Sequence, residues 1–163
     1  MTGFQTPEVL YVLAEVSIAV VGFTGVVVAL RFQNRDWSEV QLIRFSALIY
    51  PSLTALVACF FPDMIGYFTS DTTLVWRTAN LGLGLLHLIN IIPFIVGAIR
   101  SPASTTLGQR CLAAIGLATI TGHLFAAASL IPFLQAMFVF GVMQQIGIGI
   151  HNFVLSLRDS ANA

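Results

Sequence analysis

The chain contains no lysine: all seven of its basic residues are arginine, and they face seven acidic residues for a formal net charge of zero. Without a side-chain amine there is no candidate for a retinal-type or pyridoxal Schiff base. Without net charge there is no field to recruit nucleic acid or an acidic partner. Charged residues make up only 9% of the sequence, whereas a soluble domain has about a quarter. So little charge leaves too little polar surface to cover a water-facing exterior. Other signatures are missing as well. There is no CxxC pair, HExxH helix, GxSxG elbow, potassium-filter sequence or phosphate-cradling glycine loop. GFTG at 22–25 and LGLG at 81–84 sit inside apolar runs and follow no strand, so they read as helix-packing glycines.

What the chain does have is hydrocarbon. Of its 163 residues 57% are hydrophobic, and the mean hydropathy is +0.90. A bilayer core of about 30 Å needs roughly 20 apolar residues per helical crossing. Five runs meet that length, at 9–30, 40–61, 74–99, 107–130 and 134–157, separated by short polar breaks. The fold class expected is therefore all-α, a polytopic integral membrane protein with five transmembrane helices in a single domain over 1–163. The N-terminus reads as the first mature helix and not as a cleavable signal, since Glu8 and Glu15 stand where a signal has a basic and then a purely apolar region.

Local signals mark the ends. Ser38 with Gln41, and Thr106 with Gln109, have capping-box spacing. Asp71, Thr72 and Thr73 are candidate caps for the third span, and Pro132 suits the first turn of the fifth. Pro51 lies inside the second span, where it should kink the helix and free a carbonyl. Five spans put Arg31, Arg35, Arg100, Arg110 and Arg158 at or beside the face opposite the N-terminus. By the positive-inside rule the N-terminus is then outside and the C-terminus cytoplasmic, as in a bacterial inner membrane. Trp76, Tyr67 and Phe68 near one face, with Trp37 and Phe32 near the other, are expected as interfacial belts. The two cysteines, Cys59 and Cys111, fall at opposite membrane faces on this reading and cannot meet the roughly 7 Å that a disulfide requires.

The polar residues inside the runs are sorted onto faces. At about 100° per residue, Arg77, Asn80, Gly84, His87 and Asn90 fall within about 140° of one another on the third span. Gly141, Gln144, Gln145, His151 and Asn152 share one face of the fifth, and Gly116, Thr119, His123 and Ala127 one face of the fourth. The second span aligns Gln41, Arg44, Pro51, Ala55 and Ala58, and the first aligns Glu15, Ala19, Gly22 and Gly25. Each such stripe should face protein or water, because polar groups in hydrocarbon cost several kcal/mol. At about 1.5 Å per residue, Glu15, Arg77, Asn80 and His123 lie toward the N-terminal face, with His87, Gln144 and Gln145 central. Arg44, Asn90, His151 and Asn152 lie toward the other. Glu15 and Arg77 are at similar depths and could neutralise each other.

These residues together form a candidate polar pathway: Glu15, Arg44, Arg77, Asn80, His87, Asn90, His123, Gln144, Gln145, His151 and Asn152. The expected function is a small channel or transporter for protons or a small ion, built as a homo-oligomer in the lipid bilayer. The alternative is an accessory subunit of a larger membrane complex, either purely structural or holding haem or a chlorophyll-type pigment through His87, His151 or His123. No metal site is expected, since no two histidines are spaced i, i+4. Nothing pairs Ser, Tyr and His at a catalytic spacing, so no enzymatic site is assigned.

Overall fold

The computed structural model describes residues 5–31, 39–100 and 106–161. The described residues form six helices: α1 (Glu8–Arg31), α2 (Glu39–Cys59), α3 (Phe61–Gly66), α4 (Thr72–Arg100), α5 (Leu107–Ala127) and α6 (Leu134–Ala161). Five of them are long and apolar enough to cross a membrane. The sixth, α3, is a single short helix inside a stretch read from sequence as a loop. Its signal was present: Pro62 and Asp63 occupy its first turn, where a missing N–H is harmless and a negative charge meets the helix dipole.

The long helices end where local chemistry ends them. Asp71 caps α4, its Oδ1 accepting from Thr73 N at 2.9 Å and Leu74 N at 3.2 Å. Thr106 and Gln109 form the expected capping box at the start of α5. The other expected box, at Ser38, lies outside the described residues. α5 stops at Ala127, before the expected Leu130. There Leu130 N bonds Phe125 O, Ser129 N bonds Ala126 O, and Ser129 takes a φ of 57°, the left-handed closure that satisfies the last carbonyls. Pro132 consequently lies in the turn ahead of α6 and not in its first turn.

Helix α6 lies at the centre, packed against α1, α2, α4 and α5, while α2 packs in addition on α1 and α4. One half of the bundle, from α1, α2, α4 and α6, is dry. Leu10, Ala14, Ala55, Ala58, Trp76, Leu83, Phe138, Val142 and Ile146 fill it. Trp76 is 5% exposed and its ring lies 5.7 Å from that of Phe138, so it is a core residue and not the interfacial one expected. Tyr67 and Phe68 are 88% and 91% exposed. Near the same end, Asp63 accepts hydrogen bonds from Thr6 and from Tyr11, the latter at 2.9 Å, which fastens α3 to α1.

The face of α1 is the clearest departure from expectation. Its buried side is Leu10, Ala14, Ser17 and Thr24, whereas Glu15, Ala19, Gly22 and Gly25 are exposed. The buried hydroxyls need no outside partner, because Ser17 donates to Leu13 O at 2.8 Å and Thr24 to Val20 O at 2.6 Å. Small residues allow close approach to any neighbour, so their stripe does not say whether that neighbour is the same chain.

Helices α2 and α6 meet most closely at Gly149. A methyl group there would collide with Ser52 Oγ and stand 3.3 Å from Leu48 O. Gly147, one turn-fraction away, has nothing within 4 Å of the corresponding position. Gly149→Ala should therefore lower stability by about 1–3 kcal/mol through overpacking. Gly147→Ala should leave it unchanged or slightly raised. Thermal unfolding of the two variants in detergent, compared with the parent, checks both.

Candidate functional site

The other half of the bundle, where α4, α5 and α6 meet, is polar. It has three layers. In the layer nearest the N-terminal face, Asn80 Nδ2 donates to Trp76 O at 2.8 Å and to Leu134 O at 2.9 Å. Both amide hydrogens are thus committed, and Asn80 Oδ1 is left to accept. It lies 2.8 Å from His123 Nδ1, so His123 must carry its hydrogen on Nδ1. The neutral ring then has its lone pair on Nε2, which is buried without a partner. Gly84 and Gly141 make room for this ring. A methyl at Gly84 would approach His123 Cβ to 3.0 Å, and one at Gly141 would collide with His123 Nε2.

The layer nearest the opposite face is tied through Asn90, Gln109 and Asn152, while His151 Nε2 there is buried without a partner. Asn90 Nδ2 donates to Thr54 Oγ1 at 2.8 Å, joining α4 to α2. Gln109 accepts from Thr106 N and donates to Asn152 Oδ1 at 3.1 Å. Asn152 Nδ2 in turn bonds Ile148 O at 2.9 Å and Ala47 O at 3.4 Å. Ala47 is four residues before Pro51, the residue that cannot donate to it. The carbonyl that Pro51 frees is therefore taken up by Asn152, as burial of a backbone acceptor demands. Gln109 and Thr54 were not among the expected site residues. Gln109 was legible only as a cap, and Thr54 as one polar atom in an apolar run.

Between these layers the hydrogen bonding stops. His87, 1% exposed, has no partner at either ring nitrogen, and the buried amides of Gln144 and Gln145 have none at oxygen or nitrogen. His87 and Gln145 border a cavity of about 50 Å³, which Pro51, Asn90, Gln109 and Asn152 also line. The rings of His87 and His123 are 6.4 Å apart. Gly116 supplies the space on the α5 side. A methyl on it would lie 3.4 Å from His87 Nε2 and 3.6 Å from Gln144 Nε2.

The structure thus brings together Asn80, His123, His87, Gln144 and Gln145, with Asn90 and Asn152 adjoining them. It does not bring in Glu15 or Arg77, both of which are exposed. Arg77 Nε donates to Ala127 O at 2.8 Å, on the seam between α4 and α5. Among the described residues no ion pair joins it to Glu15: Arg77 lies on the side of α4 that meets α5, whereas α1 packs on α2 and α6. His151 is half-buried beside Gly108 at the start of α5, and it does not line the cavity. The side chain of Arg44 lies outside the described residues. The void beside His87 is about 50 Å³. Among the described residues no three His, Cys, Asp or Glu side chains group as metal ligands, and Cys59 and Cys111 are free.

A scan against protein-family models finds no match for the chain, and searches of curated proteins and of solved structures find none either.

Two measurements check the upper layer. Nitrogen NMR of the histidines should show neutral His123 as the Nδ1–H tautomer. Asn80→Ala should abolish that preference and cost about 1–3 kcal/mol of stability, since it strands a buried imidazole N–H.

Proposed function

We propose that this protein is an integral membrane protein that passes protons through a hydrated polar relay inside each protomer. It would lie in a bacterial cytoplasmic membrane with the arginine-bearing face inside, following the charge bias of its loops. The observation that carries this reading is the unsaturated middle layer. His87, Gln144 and Gln145 hold six buried polar atoms with no protein partner, and His87 and Gln145 line a cavity of about 50 Å³. Each such atom left unsatisfied costs about 1–3 kcal/mol. A water needs about 10–15 Å³ of such space and two to four polar partners, so the cavity has room for about three to five.

The chemistry of the layers favours protons over other ions. Among the described residues no Asp, Glu or Arg is buried, so nothing stands ready to replace the hydration shell of a metal cation or to balance an anion. Imidazole accepts a proton on one nitrogen and releases one from the other. His123 presents a lone pair at Nε2, and His87 has neither nitrogen committed, so it is free to reverse its tautomer. The amides of Gln144 and Gln145 orient the intervening waters. Asn80 and the Gln109–Asn152 pair hold the helices fixed at either end.

The test is proton flux into vesicles carrying a pH-sensitive dye. The reconstituted protein should collapse a pH gradient faster than protein-free vesicles, with potassium and chloride gradients left intact. His87→Phe removes the titrating group, and Gly116→Val fills the space beside it while keeping every polar side chain. Either should reduce the flux by about tenfold or more, the equivalent of one lost hydrogen-bonding step. Met143→Leu, on the exposed side of α6, should conduct as the parent does. Parent vesicles that hold their gradient as well as empty ones would overturn the proposal and leave the layers as a packing code.

A further inference from the structure

The exposed charges on the two flanks have the geometry of an interface between copies of this chain. Glu15 lies seven residues past the start of α1 and Arg77 five past the start of α4. At about 1.5 Å per residue they sit about 10 and 8 Å along their helices. The two helices start at the same end of the bundle, where Val9 of α1 lines one groove with Thr72 and Thr73 of α4. Both charges are thus inside apolar spans, at one depth and of opposite sign. Charges facing hydrocarbon are rare because they lose their hydration without a replacement.

The surfaces beneath the charges are complementary too. Along the exposed face of α1, Glu15 is followed by Ala19, Gly22 and Val26, and a methyl added at Gly22 would touch nothing. Along α4, Arg77 is followed by Leu81, Leu85 and Leu88, 44%, 50% and 42% exposed. The spacings on the two helices nearly coincide, the helices run in the same direction, and one side offers small residues where the other offers leucines. Small residues opposite large ones allow the close parallel packing that drives helix association in lipid.

We propose that α1 of one protomer packs on the α4–α5 flank of the next, with Glu15 paired to the neighbour's Arg77 and Ala19 under its Leu81. The occupant of this face is a second copy of the chain. Because the two patches are different, the contact is head-to-tail, which generates a ring where the rotation between neighbours closes. The inference does not depend on the interior relay, since association and flux are read separately.

The test is disulfide trapping in native membranes, with Cys111, which is exposed, replaced by serine. Ala19→Cys combined with Leu81→Cys should give a ladder of cross-linked species beyond the dimer, while each cysteine alone gives monomer. Native mass spectrometry in mild detergent supplies the second readout. Glu15→Arg and Arg77→Glu should each weaken association by about tenfold or more, and the charge-swapped double variant should restore it. Absence of cross-linking in the double-cysteine protein would overturn the proposal. So would a dimer from Ala19→Cys alone, which marks a two-fold contact, or a charge swap that fails to restore the parent mass.

Discussion

Asn80 is the side chain on which the polar half of this bundle depends. It spends both amide hydrogens on carbonyls, one in its own helix at Trp76 and one at Leu134, where α6 begins. Its oxygen then fixes the ring of His123 from α5. Three helices are thereby held at one point by a group that is itself completely buried. At a fully buried site there is no water to compete for these bonds, and equally none to rescue a carbonyl or imidazole that loses its partner. The direction of every bond is set by the amide's geometry, so the tautomer of His123 is a consequence of the fold and not an independent choice.

The same logic explains the contrast between the layers. At the far end, Gln109 and Asn152 are saturated by one another and by the carbonyl that Pro51 leaves open. A helix-breaking residue in α2 and a polar residue in α6 are thus one device: each would be unfavourable without the other. Nothing comparable serves His87, Gln144 and Gln145, although Gly116 stands beside His87 and Gln144 as Gly84 and Gly141 stand beside the tied ring of His123. Neighbours that could have been larger, and so could have sealed the gap with hydrocarbon, are instead small. The combination of room and unspent hydrogen-bonding capacity distinguishes this layer from a packing contact.

The number and extents of the long helices were legible from hydropathy alone, because long apolar runs are read without tertiary detail. The inward faces of α2, α4, α5 and α6 were legible as well, from the alignment of Pro51 and Ala55, of Asn80 and His87, of Thr119 and His123, and of Gln145 and Asn152. The face of α1 was not. Its stripe of Glu15, Ala19, Gly22 and Gly25 has the same pattern as the buried stripes, and a helical wheel carries no information on which molecule supplies the opposing surface. Ser17 and Thr24 were the contrary signal: hydroxyls can turn back onto their own helix and so be buried at no cost in partners. Trp76 went unrecognised as core for a similar reason. Its position near a helix end suits an interfacial ring, and only the meeting with Phe138 from α6 reveals the pocket.

The distribution of charge follows from these constraints. A charge buried among α4, α5 and α6 would need a partner held in that small space, and the glycine-lined interior offers only neutral amides and imidazoles. A charge on the flank can be neutralised by a neighbouring protomer over a broad, flat contact, where the partner's position is fixed by whole helices and not by one rotamer. Keeping ions at the perimeter also leaves the buried imidazoles and amides among neutral groups alone. Neutral groups within and opposed charges without are in this sense two results of one solvent.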